Sequence, residues 1–104
     1  MLVHKYYCPG CDQEKLQDSI TLVRPYSAGT AQLPYFYCSV CRLIYIDRQL
    51  IREILSGWRN RNPSAKKISY KKIYEEMLAQ VESTVELYCR TAGYKRAKFK
   101  KVKS

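Results

Sequence analysis

The chain has 104 residues, 46% of them apolar, and 19 Lys and Arg against 9 Asp and Glu give a formal charge of +10; that length suits one domain or a small module with an appendage, with a core modest enough for a metal staple to matter. No run approaches the roughly 18 consecutive apolar residues of a membrane span, so no membrane role is expected. The stretch Met1-Leu2-Val3-His4-Lys5-Tyr6-Tyr7 has neither an apolar h-region nor a small-residue cleavage site, so an intracellular protein (cytoplasm or nucleoid, nucleus in a eukaryote) with reduced thiols is expected.

In chain order, the residues through Ile46 read as strands. Val3 to Tyr7 leads into Cys8, Ile20 to Val23 is a second β-prone run, Tyr35-Phe36-Tyr37 leads into Cys38, and Leu43 to Ile46 leaves Cys41. Their aromatic and β-branched residues suit a half-buried pleated surface. Pro25, Gly29 and Pro34 mark residues 25–34 as a loop between two hairpins. From Asp47, an N-cap candidate, Leu50, Ile51, Ile54 and Leu55 fall at helical spacing, with Gly57 as a candidate C′ residue. The stretch 59–64 breaks the pattern ahead of Pro63. A longer amphipathic helix starts after Ser69, carries the stripe Ile73, Tyr74, Met77, Leu78, Val81, Val85 and Tyr88, and ends at Gly93. Residues 95–104 are charged enough to read as a flexible basic tail. The fold class is therefore α+β, with cysteine-bearing hairpins over 1–46, a two-helix region over 47–94 and the tail beyond.

Cys8-Pro9-Gly10-Cys11 and Cys38-Ser39-Val40-Cys41 are both C-x2-C. A two-residue spacer lets a tight turn present both sulfurs to one ion, and two such turns supply a closed tetrahedral shell. One structural Zn2+ is the expected cofactor. Rubredoxin-type iron uses the same ligands, and dithiol redox chemistry is a weaker competitor because no thioredoxin-like βαβ pattern appears. Residues 1–46 resemble a zinc ribbon, the fold shared by transcription elongation factors, RNA polymerase subunits and several ribosomal proteins. The resemblance implies two knuckles on β-hairpins, with Cys8, Cys11, Cys38 and Cys41 as ligands. A glycine often follows the second cysteine of such a knuckle; here Asp12 and Arg42 stand there. Some elongation-factor ribbons cleave RNA through an acidic pair on a hairpin tip, and residues 25–34 contain no acidic residue to carry that activity.

The positive charge is one-sided. Residues 1–46 hold four basic and three acidic side chains, and residues 47–104 hold fifteen and six. Candidate phosphate contacts are Arg59 and Arg61, then Lys66, Lys67, Lys71 and Lys72, then Lys95, Arg96, Lys98, Lys100, Lys101 and Lys103. The tail charges also fit a nuclear-import signal. Ten tyrosines are many for this length; they either fill the core around the metal or leave rings free to stack on unpaired bases. Trp58, Tyr74, Met77 and Val81 are candidate contacts for a protein partner or for a homodimer through the long helix. Cys89 reads as a small buried or half-buried hydrophobe.

No enzyme is expected: four cysteines close the shell against a metal-bound water, and a lone histidine, His4, builds no Ser-His-Asp or Cys-His constellation. The leading expectation is a small zinc-stabilised protein that binds DNA or RNA in transcription regulation or a nucleoprotein assembly, with a protein of the transcription or translation machinery as a further partner. The alternative is an adaptor or inhibitor, of the viral or mobile-element kind, docking through the amphipathic helix on an acidic or nucleic-acid-binding partner.

Overall fold

The computed structural model describes residues 5–16, 19–23 and 31–102. The readings placed on His4, on residues 24–30 of the loop and on Lys103 lie outside them.

Two hairpins carry the cysteines. β1 (Lys5–Tyr7) pairs antiparallel with β2 (Glu14–Leu16), and β3 (Ser19–Val23) pairs antiparallel with β4 (Ala31–Cys38), which in turn pairs with β5 (Leu43–Tyr45). β4 is longer than its aromatic core predicts and takes in Pro34, which the turn signals had placed in a loop. The register explains why a proline is tolerated there. Residues 31–35 of β4 pair with β3, and residues 36–38 pair with β5. Among the described residues Pro34 therefore has a paired neighbour on one side only, and its missing N–H costs no ladder bond on the other.

The alternation along β4 builds two cores, one on each face. Ala31, Leu33 and Tyr35 point to the helices, while Phe36 and Cys38 point to the cysteine turns. β5 agrees with that division: Ile44, opposite Tyr37, joins the helical core, and Tyr45, opposite Phe36, packs on the metal side. One strand thus ties both cores into a single body.

Asp47 starts α1 (Arg48–Arg61), accepting the Leu50 amide on Oδ1 at 3.1 Å. Its other carboxylate oxygen accepts the Tyr6 hydroxyl, so the same side chain caps a helix and anchors β1. Burial together with that carboxylate raises the Tyr6 phenol above its ordinary pKa. Gly57 does not end α1, as local chemistry alone predicts. The helix continues because Trp58 completes the Ile51, Leu55, Trp58 spacing and is buried in the helical core. Asn62 closes the end, its side-chain amide donating to the Trp58 carbonyl at 2.7 Å. A 3-10 turn (Pro63–Lys67) leads to α2 (Tyr70–Ala92), whose buried stripe is Ile73, Met77, Val81 and Val85. Gly93, at φ 71°, ends it in the left-handed conformation that glycine adopts without penalty.

The segment expected to hang free does not. β6 (Lys95–Arg96) runs parallel to β5, and β7 (Lys100–Lys101) pairs antiparallel with β1. The strand orders are β2-β1-β7 and β3-β4-β5-β6. Phe99 supplies the physical reason: it is buried with Tyr6, Phe36 and Leu50 and stacks on Tyr45, ring centroids 6.0 Å apart. One large ring and several backbone bonds, Ala97 N to Ile44 O at 3.0 Å and Val102 N to Lys5 O at 3.1 Å among them, outweigh the charge around them.

Candidate metal centre

Each cysteine pair sits at the bend of a hairpin in the same way. Cys8 follows β1 and Cys38 ends β4. The carbonyl of each accepts the amide four residues on, Asp12 N at 2.8 Å and Arg42 N at 2.9 Å. The chain then turns through the left-handed region at Asp12 (φ 51°) and at Arg42 (φ 57°). These are the two positions where the knuckle resemblance expects glycine. Aspartate enters that region readily, whereas arginine does so at a cost of about 1–2 kcal/mol. The contacts of Arg42 offset the cost. Its guanidinium donates to the Ala92 carbonyl at 3.1 Å and lies 5.6 Å from the centre of the Tyr94 ring, and its own carbonyl accepts the Lys95 amide at 2.8 Å. The second cysteine turn is thereby fastened to the end of α2 and to β6.

The two turns meet. The sulfurs of Cys8, Cys11, Cys38 and Cys41 all lie within 4.8 Å of one another, and those of Cys11 and Cys38 are 3.8 Å apart. A tetrahedral ion with metal–sulfur bonds of about 2.3 Å holds its sulfurs about 3.8 Å apart, so the cluster fits one metal ion. Cys8 and Cys38 are buried, while Cys11 and Cys41 are partly open. Burial opposes charge on Cys38, but the amides of Cys41 and Val40 and the thiols of Cys8 and Cys11 stabilise its thiolate and bring its pKa down to about 6. Cys41 goes the other way, pushed up to about 12 by burial and then by the same neighbouring thiols. Four thiols this close favour one thiolate and resist the next, and a bound cation removes that conflict.

Gly10 is the residue that lets the turns approach. A Cβ on it would lie 2.7 Å from the Cys41 sulfur, 3.0 Å from the Cys41 Cβ and 3.3 Å from a Leu43 methyl. A metal-bound sulfur has no freedom to retreat. Gly10→Ala is expected to cost about 1–3 kcal/mol through overpacking, read as roughly tenfold or greater loss of metal affinity in chelator competition, with the helices intact by circular dichroism.

The other candidate residues are spread over the molecule. Arg61, Lys66, Lys67, Lys71 and Lys72 are exposed around the 3-10 turn and the start of α2; Lys95, Lys98, Lys100 and Lys101 are exposed beside the metal layer. With about 1.5 Å rise per residue, the length of α2 separates these two groups by roughly 30 Å. Two arginines are committed within the fold. Arg59 donates to the Lys66 and Ile68 carbonyls at 3.1 and 3.2 Å and so holds the 3-10 turn. Arg96 pairs with Glu82 at 2.5 Å, and Arg48 reaches the same carboxylate at 3.3 Å. Burial alone would raise the Glu82 pKa, but the two guanidiniums hold it below the usual carboxylate range. The candidate partner contacts are corrected too. Met77 and Val81 are fully buried in the molecule's own core, as is most of Trp58, and Tyr74 is half-buried under the Arg52 guanidinium, 5.3 Å away. Most of the apolar stripe that suggested helix docking or a homodimer packs against α1 and β4, and Tyr88 at its end stays exposed. Cys89 packs partly buried at the edge of that core. Sequence reading took Asp47 as a cap and missed its bond to Tyr6. It also missed the Glu82 bridge, whose partners lie far off in sequence.

No model of a known protein family, no curated protein and no solved structure matches this chain. Fold and site define a mixed α+β protein with a four-cysteine cluster able to hold one metal ion. Among the described residues no helix is long and apolar enough to cross a membrane.

Proposed function

We propose that this protein is a non-catalytic nucleic-acid-binding module stabilised by one structural zinc ion in a zinc-ribbon-like layer. The donor set supports zinc: four thiolates in two hairpin turns form a closed tetrahedral shell with no position for a reacting water. The single observation that carries the binding role is the placement of Lys95, Lys98, Lys100 and Lys101. All four are exposed on chain that strand pairing and Phe99 hold against the metal-bearing hairpins. Ammonium groups on a backbone already held in place meet phosphates without first ordering a loose tail, so less entropy is lost on binding than with a disordered segment. Lys66, Lys67 and Lys71, exposed at the far end of α2, would extend contact along a longer strand.

Salt titration of oligonucleotide binding tests the reading. Neutralising four phosphates predicts log K falling linearly with log salt, with a slope of about −3 to −4. Replacing Lys98, Lys100 and Lys101 with glutamine should weaken binding at low salt and flatten that slope by roughly 2 to 3. Absence of binding by the native protein near 50 mM salt, or affinity indifferent to salt, would reject a phosphate-binding role.

A further inference from the structure

Four tyrosines collect where the second cysteine turn meets the end of α2. Tyr35 and Tyr37 share a face of β4, Tyr88 comes from the last turns of α2, and Tyr94 folds back after Gly93. Tyr37 and Tyr88 are nearly parallel, 15° apart with centroids at 6.4 Å; Tyr94 meets both edge-on at 5.9 and 5.8 Å; Tyr35 contacts Tyr88 at 5.9 Å. Tyr35 is buried, but Tyr37 and Tyr94 are half-open and Tyr88 is 38% exposed. Tyr88 continues the buried stripe of α2 past the point where the core ends. A large ring there faces water although its neighbours lock it in place.

The rim of this cluster is cationic. The Arg42 guanidinium lies over Tyr94, and Lys95 is exposed on the adjoining strand. That charge excludes the ammonium ligands that aromatic clusters otherwise suit. It suits a ligand with flat aromatic groups strung on an anionic backbone. We infer that Tyr88, with Tyr37 and Tyr94 behind it, is a stacking platform for unpaired bases of single-stranded nucleic acid, with Arg42 and Lys95 beside the phosphates. The inference rests on the nucleic-acid-binding reading above and narrows it to single strands, because bases inside a duplex already have both faces covered.

The test compares the native protein, Tyr88→Ala and Tyr88→Phe for binding of an eight-nucleotide oligothymidylate and of a duplex of equal length, by fluorescence anisotropy at two salt concentrations. Loss of one stacked base predicts that Tyr88→Ala weakens single-strand binding by about fivefold to a hundredfold. The salt slope and duplex affinity should stay unchanged, and Tyr88→Phe should restore native affinity because the ring remains. Single-strand affinity unaffected by Tyr88→Ala, or both ligands weakened equally, overturns the platform while leaving phosphate binding through the lysines standing. Failure of the native protein to bind either ligand at low salt removes the parent reading and the platform together.

Discussion

Cys38→Ser should abolish stoichiometric metal binding and unfold the two-hairpin layer. Cys38 is buried, ends β4, pairs with Leu43 and lies 3.8 Å from the Cys11 sulfur. A serine hydroxyl does not ionise near neutral pH and is a poor ligand for a soft site, so three thiolates are left around an open position. Structural zinc contributes about 10–16 kcal/mol to the folding of small zinc modules, as much as the whole stability of an ordinary domain. Losing even part of it leaves a buried cluster of thiols with no cation among them. Metal quantified by mass spectrometry on the native protein should give one zinc per chain without visible absorbance, which also separates zinc from iron. The variant should give none, with the near-ultraviolet tyrosine signal lost. A variant that keeps its metal and its melting temperature would mean that the four sulfurs do not form one site.

Phe99→Ala should destabilise the protein by about 3–5 kcal/mol, the usual cost of emptying a buried phenylalanine position. The ring fills the metal-side core against Tyr45, Tyr6 and Leu50, and it is the one buried side chain among residues 95–102. At roughly 4 °C or more per kcal/mol for a chain near this size, melting falls by more than ~10 °C. Amide hydrogens of residues 97–102 should exchange much faster than in the native protein, while metal content stays at its native value. Melting and exchange both unchanged would mean that strand pairing alone retains the basic segment.

The parts of this structure legible from sequence are those written locally. The two C-x2-C turns carry their ligands within four residues, and the stripe Ile73, Met77, Val81 and Val85 repeats with the helical period. Both could be read without knowing what lies across the fold. Gly57 was misleading because a local stop signal competes with a tertiary one, and burial of Trp58 wins. The composition of residues 95–102 predicts a free tail, but β7 finds its partner β1 far off in sequence, and composition is blind to such pairings. Charge counting likewise cannot show that Arg59 is bound to two carbonyls or that Arg96 is bound to Glu82. Asp12 and Arg42 show a turn geometry kept without the glycine that usually marks it, because hydrogen bonds from the flanking chain hold the backbone there.

Because Tyr6 pairs with Lys101, β1 precedes the other described strands in the chain yet gains its second neighbour after them. Closing a loop of that span is slow and entropically costly for a free chain. Ion capture by Cys8 and Cys11 together with Cys38 and Cys41 needs a much shorter closure. It would draw β1 beside β4 and Phe36 before residues 95–102 arrive, so the last strand docks onto a surface already assembled. Refolding from denaturant should therefore be markedly slower with the ion chelated, and a polypeptide emerging from the ribosome would depend on the metal supply for the order in which its pieces come together.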